Sequence, residues 1–423
     1  MTIDDGTRRG FESWERNVWA LALVVFIAFV GFQFFSPFLP LYVIELGVTD
    51  PTRVALWSGV LTAVTPAVSG LLGPLWGRLA DRVGRKMMMI RSLVGFVIIV
   101  AAMGLVTSVT QLLILRVLQG VIAGFSVFAM ALASVSCPKD KVPVAIGRVQ
   151  GAQLLSVAVG PAAGGYVASH FGLRYAFFVT AGMCAIALVG LILLFNESRP
   201  RDAGDTGPAR ERSFTLRDVL GLRGFPLVLG LLFIGQFIDR GLSLLVPLKV
   251  ATLPDVTRIA ATSGEIISLA AICATGSALA AGRLAQRWPP ERLLLIGLLV
   301  GGLPCALMAL APGWQSLMLL RCLTGLCLGG ALTLAYSLGG MLVSSERRGA
   351  AFGWLALSVQ VGTAASPLVS GGLAALSLPG AFLLDGGLAW LGAAVLRRAR
   401  AACAAAPRPL DDAGGILYCR RIT

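Results

Sequence analysis

Apolar runs of about 20 residues recur some twelve times along the 423-residue chain, and no other feature constrains its fold as strongly. At 1.5 Å per residue, about 20 residues cover the roughly 30 Å of hydrocarbon in a bilayer, so each run has the length of a membrane-spanning helix. A spanning segment must satisfy its own backbone hydrogen bonds, which predicts an all-α integral membrane protein. The runs fall in two sets of six. The first covers approximately residues 18–38, 55–76, 87–107, 111–134, 145–168 and 175–195. The second covers approximately 225–248, 263–284, 291–311, 314–341, 350–374 and 380–396. The run at 145–168 is weakened by Gly and Pro. Composition agrees, since 57% of residues are hydrophobic and 13% charged, about half the charged share of an ordinary soluble domain. A water-soluble globule is excluded.

The net charge of +14 invites comparison with nucleic-acid binders, but the placement of the basic residues argues against one. With the N-terminus in the cytoplasm, 28 Lys and Arg fall on inner loops, inner span ends and tails. Only Arg53, Arg174, Lys249 and Arg258 fall outside, and Arg116, Arg240 and Arg321 lie within spans. An excess of cytoplasmic Lys and Arg sets orientation, so both termini are expected in the cytoplasm of a multi-pass inner-membrane protein. The first span has Arg8, Arg9 and Arg16 before it and runs on through Pro37-Phe38-Leu39-Pro40 without a small-residue cleavage site, so it reads as a retained span.

Enzyme chemistry is not expected. None of the eight cysteines forms a C-x-x-C pair, and the one histidine, His170, is placed in a loop beside Gly172, so neither a metal site nor a His-based triad is expected. No paired-carboxylate constellation or phosphate-binding G-x-x-x-x-G-K-[ST] string occurs, and no cofactor is expected.

The two sets of spans repeat one another. Gly77-Arg78-Leu79-Ala80-Asp81-Arg82 recurs 205 positions later as Gly282-Arg283-Leu284-Ala285-Gln286-Arg287, and Arg116 with Gly120 recurs as Arg321 with Gly325. Pro40-Leu41 matches Pro247-Leu248, and Gly160-Pro161 matches Ser366-Pro367, at nearly the same offset. A duplicated six-helix unit follows. Residues 1–195 and 225–396 are the two expected bundles, 196–224 a polar cytoplasmic linker, and 397–423 a cytoplasmic tail without periodicity.

Gly77-Arg78-Leu79-Ala80-Asp81-Arg82-Val83-Gly84-Arg85-Lys86 is expected to turn between the second and third spans, with glycines permitting the turn and Asp81 accepting charge-assisted hydrogen bonds. The string resembles the G-x-L-a-D-r-x-G-r-k signature of the major facilitator superfamily. That resemblance covers nearly the whole chain, and it implies two pseudo-symmetric six-helix bundles around a central cavity with alternating access. It also implies a conformational latch formed by Gly77, Asp81, Arg82, Gly84, Arg85 and Lys86. The second copy has Gln286 in place of the acid, which weakens any second latch. Arg116, in Leu112-Leu113-Ile114-Leu115-Arg116-Val117-Leu118-Gln119-Gly120, matches the arginine that the family associates with proton coupling; alternatively, it lies about 9 Å from the outer end and snorkels to the interface.

Ser156, Gly160 and Gly164 form a stripe that lets helices approach closely. With Pro161 and Gly165 it also resembles the antiporter-branch signature g-x-x-x-G-P-x-x-G-G, with Ser156 replacing the first glycine. Gln33, the segment Pro37–Val43 and Glu45–Thr49, together with Trp76-Gly77 and Met89–Ser92, are similar to the fosfomycin and deoxycholate exporter branch of the twelve-span drug:proton antiporters.

The first six spans hold no acidic residue well inside the membrane, unlike many of these relatives. The seventh supplies Gln236-Phe237-Ile238-Asp239-Arg240, with Asp239 and Arg240 about 21 to 23 Å from its inner end. An acid there must face a cavity or a partner. Asp239 is either a proton carrier or one half of a fixed ion pair that holds helices together. Gln33, Gln236, Arg240 and Arg321 are candidate substrate-cavity residues, with Phe32 and Phe35 as possible aromatic surface. Glu265 and Asp385 are placed near outer span ends, as interfacial groups. The expected function is export of amphiphilic small molecules or drugs in exchange for protons, by a monomer in the lipid bilayer. The alternatives are a major facilitator carrier of a narrow substrate such as a sugar or metabolite, and a transporter-like membrane enzyme or receptor.

Overall fold

The computed structural model describes residues 5–138, 141–195, 222, 224–342 and 348–405. Among the described residues the regular structure is helical, with no strand. The first half contains α1 (Asp5–Phe35), α2 (Leu39–Glu45), α3 (Pro51–Val83), α4 (Arg85–Met103), α5 (Val109–Ile122), α6 (Phe125–Val135), α7 (Val142–Phe171) and α8 (Leu173–Leu194). The second contains α9 (Phe225–Val250), α10 (Ile259–Leu284), α11 (Pro290–Leu307), α12 (Trp314–Leu328), α13 (Ala331–Met341), α14 (Arg348–Leu376) and α15 (Leu378–Ala405). Among the described residues, eleven helical segments are long and apolar enough to cross a membrane. Helix α7 is not among these eleven, although its 30 residues reach about 45 Å. Its composition is diluted by Arg148, Gln150 and Gln153 as well as by Gly and Pro, as the sequence suggested.

Four details differ from the sequence expectation. Residues Gly77–Val83 are not a turn but the last turns of α3, and only Gly84, at φ +99°, breaks the path before α4. That positive φ is accessible to Gly at little steric cost. The fourth and tenth spans are each interrupted, between α5 and α6 and between α12 and α13. Helix α15 carries helical structure into the expected tail as far as Ala405. His170 closes α7 rather than sitting in a loop, and its Nδ1 lies 2.9 Å from the Tyr166 carbonyl. The linker at 196–221 and the tail beyond residue 405 lie outside the described residues.

The interrupted spans have their exposed backbone groups met by side chains, as a helix break inside a membrane requires. Arg91 on α4 donates from Nη2 to the Ile122 carbonyl at 3.1 Å, and Ser92 donates to the same oxygen at 3.0 Å. Arg91 also lies 3.8 Å above the Trp76 ring. In the second half, Ser277 on α10 donates to the Leu326 carbonyl at 2.6 Å and accepts from the Gly330 amide at 3.2 Å.

The chain forms two compact units. The first comprises residues 1–48, 64–203 and 257–268. Its core is built on Val18, Leu21, Met89, Phe96, Leu132 and Leu191. Gly160 and Gly164 of α7 seat directly on α1: a Cβ at Gly160 would meet the Gln33 Cβ, and one at Gly164 would overlap the Phe34 carbonyl. Small residues at such a seam let backbones touch, which is how helices gain van der Waals contact in lipid. The second unit comprises residues 49–63, 204–256 and 269–423. There Ser358, Gly362, Ser366 and Ser370 of α14 lie at spacing four. Ser358 and Ser366 donate to the α9 carbonyls of Leu229 and Phe237 at 2.7 and 2.6 Å. Large apolar side chains such as Leu71, Leu310 and Leu376 are exposed, as they would be against lipid rather than water.

Candidate functional site

The polar residues predicted within spans settle into two arrangements, one per unit. In the second unit, Arg321 on α12 donates from Nη2 to Oδ1 of Asp239 on α9 at 3.1 Å. The arginine side chain is 7% exposed and the aspartate 49%, so one charge is enclosed while the other faces open space. Arg240, next on α9, is half-buried, and its Nε has no hydrogen-bond partner among the described residues. Gln236 is buried, with its Cβ against Gly362 of α14.

In the first unit, Arg116 on α5 is buried and donates from Nη1 to Gln119 Oε1 at 2.8 Å, one turn along the same helix. Its guanidinium carbon lies 6.0 Å from the centre of the Phe35 ring. Burial rules out snorkelling. The half-buried Gln33 contributes its Cβ to the seam with Gly160. Phe32 packs edge-on to Phe96, and Phe35 lies against Phe177, each pair with ring centres 4.8 Å apart, so both rings are packing groups.

The repeat accounts for the contrast between the two arginines. Both helices carry Arg followed four residues later by a glycine that seats on a neighbouring helix, Gly120 on α3 and Gly325 on α10. In the first half the third residue after the arginine is Gln119, long enough to reach back. In the second it is Thr324, whose hydroxyl donates to the Leu320 carbonyl at 2.9 Å. Arg321 therefore turns to α9, where Asp239 stands at the position that Phe32 holds in α1.

Sequence reasoning misplaced one residue. Asp385 is not interfacial: it is fully buried in α15, and neither carboxylate oxygen has a hydrogen-bond partner among the described residues. Gly241 of α9 lies so close that a Cβ there would meet Asp385 Oδ2 at 2.9 Å and Ser370 Oγ at 2.8 Å. Glu265 is exposed on α10.

Of the expected latch, Gly77 and Arg82 are exposed on α3, and a Cβ at Gly77 would meet open space. Asp81 has a helical backbone; its side chain lies outside the described part. Arg85 donates to the Ala131 carbonyl of α6 at 3.0 Å, and Lys86 Nζ donates to the Phe195 carbonyl at the end of α8 at 2.6 Å. Pro161 lies within α7, and a Cβ at Gly165 would overlap the Ala260 carbonyl.

The family model of the Major Facilitator Superfamily matches residues 21–257 and 252–419. The chain belongs to this superfamily. It is a multi-pass membrane protein and a secondary active transporter that moves small molecules by alternating access, not an enzyme. Superfamily membership accounts for the duplicated bundles and for the shared Arg116/Arg321 pattern. Among its relatives, "Multidrug resistance protein MdtG" of Klebsiella pneumoniae (strain 342) is 32% identical over 368 residues, covering 86% of this chain and 88% of that protein. The protein of the same name in Escherichia fergusonii is 33% identical over 368 residues, covering 86% and 89%. The superfamily fold recurs in a solved structure of a bacterial homolog to the human lysosomal transporter Spinster, with TM-score 0.70 at 18% identity over 90% of this chain and 96% of that one. It recurs also in the human organic anion transporter MFSD10 (TETRAN), with TM-score 0.64 at 18% identity over 90% and 99%.

Proposed function

We propose that this chain exports amphiphilic small molecules from the cytoplasm in exchange for protons, as a monomer in the inner membrane with both termini cytoplasmic. The observation that carries the proton coupling is the Asp239–Arg321 pair: an open carboxylate joined to an enclosed guanidinium, within spans that otherwise hold few charges. A charge inside a span is expensive and faces a cavity or a partner; Asp239 does both. Protonation of Asp239 would release Arg321, so the pair couples proton occupancy to the packing of α9 against α12. The drug-like substrate class rests on the likeness to the MdtG proteins, which are named for multidrug resistance. Residues 1–195 and 225–396 act as the two moving bundles, joined by the 196–224 linker. Gly77–Lys86 serves as the latch, Arg116 supports coupling in the first half, and Gln33, Gln236 and Arg240 contribute polar groups along the substrate path. The Gly160-Pro161 and Gly164-Gly165 seam gives the antiporter character.

The test is accumulation of ethidium and a panel of antibiotics in pump-deficient bacteria expressing wild type or Asp239→Asn at equal protein level, with and without a protonophore. Wild type is expected to lower accumulation and both perturbations to abolish that effect. Export that survives the protonophore would remove proton coupling, and no difference from empty vector would favour a narrow metabolite carrier.

A further inference from the structure

The repeat pairs α8 with α15. Ala176-Phe177 recurs 205 positions later as Ala381-Phe382, and all four residues are buried. The same offset places Asp385 where α8 has Thr180. Both side chains are fully buried. Thr180 meets its surroundings by donation: its hydroxyl lies 2.8 Å from the Gly31 carbonyl of α1 and 2.8 Å from the Ala176 carbonyl of its own helix. An ionised carboxylate has no proton to donate, whereas a protonated one carries an O–H as threonine does.

The surroundings of Asp385 fit the neutral acid. Gly241 of α9 lies close against both Asp385 and Ser370 of α14, and Ser370 Oγ is itself buried without a hydrogen-bond partner among the described residues. The titratable and charged groups in electrostatic reach are Asp239 from α9, Arg321 from α12 and Cys305 from α11; α14 presents Ser370, which does not titrate. The one cation among them, Arg321, is already paired with Asp239. Its Nε, however, has no hydrogen-bond partner among the described residues.

We propose that Asp385 carries the transported proton, and that Arg321 alternates between Asp239 and Asp385. This rests on the proton-coupled export read above, with Asp385 in place of Asp239 as the group that takes and releases the proton. In the conformation described, Asp385 is a carboxylic acid and Arg321 neutralises Asp239. When α9 and α12 shift and admit water to Asp385, its O–H bond breaks, the proton leaves as hydronium, and the carboxylate left behind takes Arg321 as its partner as the site closes again. Asp239 tolerates that loss because it is half-exposed, and an exposed carboxylate within a span is solvated by water. Asp385 has no such exposure, so its charged form requires the arginine. One guanidinium serving two carboxylates therefore keeps the number of bare buried charges at zero in both states.

The test is infrared difference spectroscopy on the purified full chain in detergent at neutral pH, reading the carbonyl stretch of a protonated carboxylic acid. Wild type is expected to show the band; Asp385→Asn and Asp385→Thr are expected to lose it, and Asp239→Asn, which frees Arg321 to pair with Asp385, is expected to weaken it. The Thr variant restores the residue of the equivalent buried position, which guards against misfolding of the Asn variant. Proteoliposomes with ethidium as the probe supply the second arm: both Asp385 variants should lose at least ~10-fold of the pH-gradient-driven rate while retaining ethidium exchange at equal pH. A band that persists in both variants, or gradient-driven transport equal to wild type, overturns the assignment and leaves coupling through Asp239 standing. Wild-type ethidium transport indifferent to the gradient overturns the proton-coupled reading, and this assignment with it.

Discussion

Arg321 reaches across from α12 to Asp239 on α9 at 3.1 Å, whereas Arg116, its counterpart in the first half, bonds Gln119 on its own helix at 2.8 Å. The Arg321 hydrogen bond therefore crosses between helices, whereas the Arg116–Gln119 bond closes within one, with the Arg116 guanidinium beside the Phe35 ring of α1. The burial of the pair is lopsided, 7% exposure for Arg321 against 49% for Asp239, and this predicts an asymmetry between single substitutions. Asp239→Asn removes the carboxylate hydrogen-bonded to an enclosed guanidinium, at a cost of about 3–5 kcal/mol. Arg321→Gln leaves a carboxylate that water reaches, at a cost of about 1 kcal/mol or less. Thermal unfolding of the two variants in the same detergent checks this: Asp239→Asn should melt well below Arg321→Gln, and the reverse order would mean that the exposed face of Asp239 is not wet.

The α1–α7 seam predicts a second contrast. A Cβ at Gly164 falls on the Phe34 carbonyl, and backbone cannot give way as a flexible side chain does. Gly164→Ala should therefore destabilise by about 1–3 kcal/mol. Gly77, mid-helix with open space at its Cβ position, should accept alanine and gain up to about 1 kcal/mol of helix propensity. Folded yield and melting temperature read both effects. If Gly77→Ala melts at or above wild type yet transports more slowly, the Gly77–Lys86 segment acts in the transport cycle rather than in holding the fold.

Span number, duplication and the interior position of Asp239 were legible because each is local: run length, a constant offset, and distance from a span end. The same local measure misplaces Asp385. It lies only seven residues into α15, about 10 Å from the end of the helix, and its burial comes from α9 and α14 packed around it. A signal was available, because the Ala-Phe pair four residues before it recurs before Thr180. The breaks in the fourth and tenth spans were hidden because Gly124, Gly329 and Gly330 read equally well as helix-seam residues. What distinguishes them is Arg91, Ser92 and Ser277 reaching in from other helices. The glycines of the Gly77–Lys86 string predict a turn, although only Gly84 takes a backbone angle that breaks the helix.

That angle yields a third prediction. At φ +99° and ψ 145° a side chain is strained, and Gly84→Ala should destabilise by roughly 1–3 kcal/mol. Gly172, at φ +96° with nothing within 4 Å of its Cβ position, is the matched control at another helix junction. Similar losses at the two sites, read as melting temperature, would trace the cost to backbone conformation. A much larger loss at Gly84 would show that the latch segment adds tertiary contacts of its own.

Lys86 and Arg82 share a charge and a neighbourhood but not a role. The Lys86 ammonium donates to the Phe195 carbonyl at 2.6 Å and lies 5.8 Å from the centre of the Phe195 ring, so it caps the C-terminal end of α8 with both charge and hydrogen bond. Arg82 is exposed on the last turn of α3. Lys86→Met keeps the aliphatic stem but removes the donor and the charge, and should cost about 1.5–3 kcal/mol for a hydrogen bond to a charged group. Arg82→Met should lie within about 0.5 kcal/mol of wild type. Hydrogen exchange resolved along the chain separates the two: faster exchange confined to the last turns of α8 in Lys86→Met is the expected result, and unchanged protection there would mean that the α8 terminus is held by other contacts.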